Sequence, residues 1–123
     1  MSTVSTPLDA LPEAALHGVG IYKYIVLEAS LGDASRILVR GRDLPYHADI
    51  LDAERRLLDP VARAAGVRLR CTGGGRVKRA EGSILVYGYS MAFGRGDHAH
   101  AVELLQRAYP GEACTFSSDP ELY

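Results

Sequence analysis

Tryptophan is absent from this 123-residue chain, and phenylalanine, methionine and cysteine occur only twice each. Two cysteines, Cys71 and Cys114, cannot build the multi-bridge framework of a small secreted domain, and they suit a reducing compartment. No apolar run approaches the ~20 residues needed to span a bilayer, so no membrane partner is expected. The N-terminal stretch has neither a basic n-region nor an apolar h-region, so no ordinary secretory signal is expected. Asp9 and Glu13, with no Lys or Arg before Lys23, argue against an organelle transit peptide. A cytoplasmic location is the expectation. Potential metal ligands lack a recognisable spacing, and no metal site is expected.

A net charge of −1 argues against general nucleic-acid binding. Acidic residues are missing altogether between Pro60 and Ala80, where Arg63, Arg68, Arg70, Arg76, Lys78 and Arg79 stand. Such a run is either the solvated basic face of a strand pair or a positive wall around a small anion site. The neighbouring glycines favour the wall.

What remains is ordinary globular material: 47% hydrophobic residues and length enough for one core. Residues 1–17 read as a flexible or loosely docked tail, and a single domain is expected over 18–123. Gly20 to Glu28 carries apolar or aromatic side chains on both faces and predicts a central strand. Gly32-Asp33 turns it into a second strand around Ser35 to Arg40. A helix starts near Asp43 or Tyr46, with Ile50, Leu51, Leu57, Leu58, Val61 and Ala65 at helical spacing, and stops at Gly66. Asp59-Pro60 predicts a kink, or a new turn with Asp59 as cap. Val67 to Cys71, Arg76 to Arg79 and Ser83 to Tyr89 read as three more strands, the last two joined at Glu81-Gly82. Asp97 caps a second helix with Ala101, Leu104, Leu105 and Ala108 on its apolar face, and Glu112 to Ser117 closes as a strand. The order β-β-α-β-β-β-α-β predicts an α/β (α+β) domain: a mixed sheet of about six strands flanked by two helices.

Three segments carry chemistry. Tyr87-Gly88-Tyr89-Ser90-Met91-Ala92 leaves a strand through a glycine-bracketed turn, where free amides and the Ser90 hydroxyl can converge on an anion. Tyr46-His47-Ala48-Asp49-Ile50 puts a histidine at a helix N-terminus, which disfavours positive charge and keeps the imidazole a neutral base. A core histidine satisfied by a carbonyl is the alternative. Gly73-Gly74-Gly75-Arg76 offers flexible backbone beside a guanidinium able to grip phosphate through two parallel bonds. Lys23, the one charge among Ile21, Tyr22, Tyr24 and Ile25, either snorkels to the sheet edge or reaches that anion. His98 and His100 sit in the first turn of the second helix near the Ser90 loop, while His17 falls in the tail.

Two catalytic motifs come close and fail. A cysteine phosphatase loop places five residues between its Cys and Arg, whereas Cys71 and Arg76 enclose four. Gly88-Tyr89-Ser90-Met91-Ala92 resembles the turn of serine hydrolases, yet His98 and His100 follow Ser90 too closely to complete that arrangement. A small serine hydrolase using Ser90 stays as the lesser alternative.

Taken in order, Tyr22-Lys23-Tyr24, Tyr46-His47-Ala48-Asp49-Ile50, Gly73-Gly74-Gly75-Arg76 and Tyr87 through Ala92 resemble the phosphohistidine phosphatase, or Janus, family. The resemblance runs from about Gly18 to Tyr123. It implies a small cytosolic monomer with a mixed sheet and flanking helices, removing phosphate from phosphohistidine in proteins or peptides without metal or organic cofactor. Inorganic phosphate is then the product. Carried over residue by residue, it makes His47 the catalytic base and places Lys23, Arg76, Ser90, Met91 and Ala92 around the phosphate, with His98 beside them. Phe93 stands where tyrosine is frequent, Leu51 where an aromatic is common, and Pro60 interrupts the first helix. The same pocket without turnover, a phospho-ligand binding module, is the reading from another class.

Overall fold

The computed structural model describes residues 6–119. In chain order its elements are β1 (Ala14–Leu16), β2 (Gly20–Leu31), β3 (Ala34–Arg42), α1 (His47–Arg56), α2 (Pro60–Ala65), β4 (Arg68–Ala80), β5 (Ser83–Tyr87), α3 (His98–Ala108) and β6 (Ala113–Phe116). The strands form one six-stranded sheet in the order β1-β3-β2-β4-β5-β6. The pairs β1/β3 and β5/β6 are parallel and the others antiparallel. The expected class, an α+β domain with a mixed sheet, holds.

Strand alternation splits β2 between two cores. Ile25, Leu27 and Ala29 pack with Leu38, Ile50, Leu51, Ala62 and Leu69 under α1 and α2. Tyr22, Tyr24 and Val26 pack with Val77, Ile84, Val86, Ala101, Leu104 and Leu105 under α3. The expectation of a central strand covered on both sides is met. Buried Arg40, on β3, donates from Nε to Glu54 Oε1 at 2.9 Å, and Arg42 Nε donates to Oε2 of the same carboxylate at 2.6 Å. This pair of contacts ties α1 to the sheet and so fixes where its N-terminus points.

Four expectations need correction. Among the described residues of the supposed tail, the chain is built into the domain. Leu8 and Leu11 are buried in the α1-side core, Arg36 Nη1 donates to both their carbonyls, and β1 extends the sheet beside β3; residues 1–5 lie outside the described residues. Next, the segments around Val67–Cys71 and Arg76–Arg79 are one strand, β4. A bulge lies between them: Val26 faces Gly73 while Leu27 faces Cys71, leaving Thr72 without a partner residue on β2. The extra residue shifts the side-chain phase, which makes one strand look like two.

The glycines Gly73 to Gly75 are therefore buried strand, not a flexible loop. Finally, three helices flank the sheet rather than two, because the chain breaks before Pro60. Asp59 Oδ1 accepts from the amides of Val61 and Ala62 at 2.8 and 3.1 Å, with Pro60 at the first helical position, the capped turn the sequence allowed for. The break resets the helical phase, so Leu57 and Val61 are exposed and Ala62 is buried in their stead. Gly66 ends α2 in the left-handed region at φ 97°.

Candidate active site

Lys23 pairs with Arg76 across β2 and β4, and Ile25 pairs with Gly74. Ile25 belongs to the α1-side core, so Lys23, Arg76 and Gly74 share the face that α1 covers. His47 is the first residue of α1, and it is buried. Tyr46 is extended before it, and the Tyr46 amide donates to Asp49 Oδ2 at 3.1 Å, which sets the entry of the helix. The imidazole lies on the bare backbone of Gly74: a Cβ there would stand 2.8 Å from His47 Cδ2. Any larger residue at that position would displace the ring.

His47 Nε2 lies 2.9 Å from the Gly75 carbonyl oxygen. A carbonyl only accepts, so Nε2 carries the proton and Nδ1 keeps the lone pair. Burial pushes this imidazole below its ordinary range. The Gly75 carbonyl opposes that shift, and the charges of Lys23 and Arg76 reinforce it. The arrangement holds a neutral imidazole in a single orientation, within the influence of the Lys23 and Arg76 charges. Lys23 and Arg76 also line an open depression of about 360 Å³, together with Ile21, Tyr22, Asp43, Leu44 and Pro45.

The loop after β5 reaches the same stretch of β4. Gly74 N donates to Gly94 O at 3.0 Å and Gly96 N to Gly74 O at 2.9 Å, so the loop continues the sheet where β5 stops. Within it, Ser90 and Gly94 exchange two backbone hydrogen bonds of 3.0 and 2.8 Å and close a tight turn. Met91 and Ala92 stand exposed at its tip, Met91 at 80%. Among the described residues, neither of their amides donates to a backbone carbonyl outside the regular elements.

Ser90 occupies a different position from the one its hydroxyl suggests. The residue is 1% exposed, and Oγ accepts from the Phe93 amide at 3.1 Å. It builds the turn from beneath, and its oxygen is not paired with a histidine nitrogen. The base–nucleophile contact of a serine hydrolase is not formed.

His98, expected beside the phosphate, has its ring turned into the protein. Its ring packs on the other side of β4, where a Cβ at Gly75 would stand 2.9 Å from Cε1. Nε2–H donates to Gly88 O at 2.8 Å, and Nδ1 accepts from the Tyr24 hydroxyl. Burial and the nearby Asp97 push the Tyr24 hydroxyl well above its ordinary range, so it stays a donor. Burial likewise lowers His98, against the pull of Gly88. With both nitrogens engaged inside the protein, His98 holds Gly88, two residues before Ser90, and so orients the turn. Tyr24 and the Gly75 carbonyl carry this part of the site, and neither advertises itself in sequence. The triple glycine was the available signal, since three such residues in a strand mark close approach of other groups.

Of the remaining residues, His100 is half-buried and its amide donates to Asp97 Oδ1 at 3.1 Å. His17 stacks edge-on against Tyr22, with ring centroids 5.5 Å apart. Cys71 packs against the α1-side core, and burial raises its thiol above the ordinary range, the opposite of an activated nucleophile. Among the described residues, no three His, Cys, Asp or Glu side chains gather as a metal site.

The Janus/Ocnus family model matches residues 8–113, which include every element named above from β1 to α3. The chain belongs to the Janus/Ocnus family. Among its relatives in that family, sex-regulated protein janus-A of Drosophila yakuba is 39% identical over 115 residues, covering 84% of this chain and 82% of that protein. The same protein of Drosophila melanogaster is 36% identical over 124 residues, covering 91% and 89%. The 14 kDa phosphohistidine phosphatase of Homo sapiens is 30% identical over 122 residues, covering 91% and 94%. The family match begins at Leu8, in agreement with the burial of Leu8 and Leu11.

Proposed function

We propose that this protein is a metal-independent protein phosphohistidine phosphatase with His47 as general base. The observation that carries the reading is the orientation of His47: Nε2 is committed to Gly75 O, which leaves Nδ1 as the lone pair of a ring whose protonation the charges of Lys23 and Arg76 disfavour. A phosphoryl group bound by those two cations would sit beside a base that is neutral before attack and whose protonation the phosphoryl charge would favour. The amides of the exposed residues Met91 and Ala92, on the turn that Ser90 shapes, would complete the anion site.

The phosphoramidate leaving group needs little activation. With its distal nitrogen protonated, the substrate imidazole departs as a neutral ring. Water attacks phosphorus, Nδ1 of His47 takes the proton, and the P–N bonding pair leaves with the imidazole. The products are histidine and inorganic phosphate. A monomer in the cytoplasm acting on phosphohistidine-containing proteins is the setting we propose.

The test is phosphate release from a phosphohistidine peptide in EDTA, beside a phosphotyrosine peptide as control. Release from the first alone is expected. His47→Ala should reduce it by ~10²–10⁴-fold while the fold survives, and near wild-type turnover by a folded variant would overturn the mechanism. The second reading is a phospho-ligand binding module, the same pocket without turnover. Saturable phosphate binding without release from any phosphoramidate would decide for it.

A further inference from the structure

The acid-free basic run does not act as one wall. Arg76 joins the candidate site, and Arg79 pairs with Glu112 at 3.4 Å while stacking on Tyr109. At the other end of β4, Arg68 and Arg70 join Arg55 and Arg63 around a depression of about 540 Å³, in which Glu28 is the one acid. The Arg55 and Arg63 side chains are held in place. Arg55 Nη2 donates to Leu69 O at 3.0 Å, and Arg63 Nη2 donates to the carbonyls of Arg55 and Arg56 at 2.7 Å each. Each of those bonds goes to a neutral carbonyl, and among the described residues neither guanidinium has a carboxylate within 4.0 Å. Glu28 meets Arg70 at 3.2 Å in an open contact, Arg70 being 69% exposed. Four cations therefore face one acid.

This depression borders an unpaired edge. Among the described residues, β4 is paired on its β5 side only from Arg76 onward, with one bridge at Gly74 to Arg95. From Arg68 to Thr72 that edge is open, and it runs directly to the turn that carries Met91 and Ala92 at Gly74. Four residues of strand, roughly 13 Å at 3.3 Å each, separate Arg70 from Gly74.

We propose that the arginines Arg55, Arg63, Arg68 and Arg70 dock an acidic segment of the phosphoprotein whose phosphohistidine enters the His47 site. The identity of the docked chain as substrate rests on the phosphatase reading. Charge complementarity selects the partner: a segment of Asp and Glu four to six residues from the phosphohistidine. Its carboxylates reach the arginine forks while the intervening chain follows the open edge of β4.

The test compares two phosphohistidine peptides, one neutral and one with Asp-Glu clusters four to six residues away on either side. It adds fluorescence anisotropy on the unphosphorylated acidic peptide, which needs no catalysis. In the Arg68→Glu/Arg70→Glu variant, KM for the acidic peptide should rise about tenfold, with the neutral peptide unaffected. Anisotropy should show the same loss, and wild-type binding should weaken as salt rises. The milder Arg68→Gln/Arg70→Gln pair should give a smaller loss of the same kind, which separates lost charge from local misfolding. Unchanged binding of the acidic peptide overturns the proposal, as does an equal loss for both peptides. Equal, equally arginine-dependent affinity for duplex DNA of matched charge also overturns it, because the surface would then read any polyanion. If neither peptide is turned over the phosphatase reading fails, while anisotropy still decides the docking.

Discussion

Replacing Gly74 by Ala tests the placement of His47 with a single methyl group. The new Cβ would lie 2.6 Å from Tyr24 O and 2.8 Å from His47 Cδ2. Carbon atoms rest at about 3.5–4.0 Å, so the ring must retreat by at least ~0.7 Å, or β4 must move off β2. Retreat of that size would stretch the 2.9 Å bond between Nε2 and Gly75 O beyond hydrogen-bonding distance. Overpacking of this kind costs about 1–3 kcal/mol, and displacement of a catalytic group by ~1 Å costs on the order of 10²-fold in rate. The expected result is a folded protein with lowered Tm and kcat/KM on a phosphohistidine peptide reduced by ~10²-fold. Gly111→Ala is the control, since nothing lies within 4 Å of a Cβ at Gly111 and no unusual φ is needed there. A Gly74→Ala protein with wild-type Tm and wild-type kcat/KM would refute the close contact between this strand and His47.

Three further perturbations separate the roles of the surrounding groups. Burial lowers the pKa of both His47 and His98 in the folded state, so the unfolded chain binds their protons first. Their stabilisation is complete above the unfolded value of about 6.5 and is lost as pH falls through the lowered folded values. Thermal melts should show Tm steady near pH 7.5 and falling below pH ~6.5, and a flat Tm down to pH 5 would contradict the assignment of two buried neutral imidazoles. Ser90→Ala removes the acceptor of the Phe93 amide; loosening the turn should lower kcat/KM by roughly ten- to a hundredfold, and a covalent adduct on wild-type Ser90 during turnover would restore the hydrolase reading. Arg76→Lys should weaken inhibition by inorganic phosphate and lower kcat/KM, because a point charge cannot make two parallel bonds; no change in either would remove Arg76 from the anion site.

Local rules were legible where local physics decides. Gly66 ends a helix in the left-handed region, Asp97 caps α3 through His100 N, and Asp59-Pro60 opens a new helix, each within a few residues of its cause. The central place of β2 was also readable, since Ile25 and Tyr24 left no face for solvent. Features set by distant partners were not. Leu8 and Leu11 look like tail residues until Arg36 takes their carbonyls from more than twenty residues away. The bulge at Thr72 depends on the register of β2, and it concealed both the length of β4 and the strand character of its glycines. Leu57 and Val61 fall on the apolar face of a single continuous helical phase, and the break before Pro60 resets that phase. The ring of His98 stood near the right loop in sequence, but Tyr24, more than seventy residues earlier, settles where its Nδ1 points.

The bulge and the three glycines are parts of one device. Were Thr72 an ordinary strand residue rather than a bulge, Leu69 and Cys71 on the α1 side would put Gly73 and Gly75, rather than Gly74 and Arg76, on that face. With it, Gly74 receives His47 on one side, while Gly73 lets Gly96 approach and Gly75 admits His98 on the other. His47, the ring of His98 that orients the Ser90 turn, and the loop backbone thus all rest on peptide units of the same strand, with no intervening side chain to change rotamer. Gly75 links the faces directly, its carbonyl holding His47 while its bare Cα accommodates the ring that fixes Gly88. A site referenced to backbone at the centre of a sheet is more rigid than one built on loops alone. That rigidity suits the proposed chemistry, in which placing water, base and phosphoryl group in line matters more than any strongly activated nucleophile.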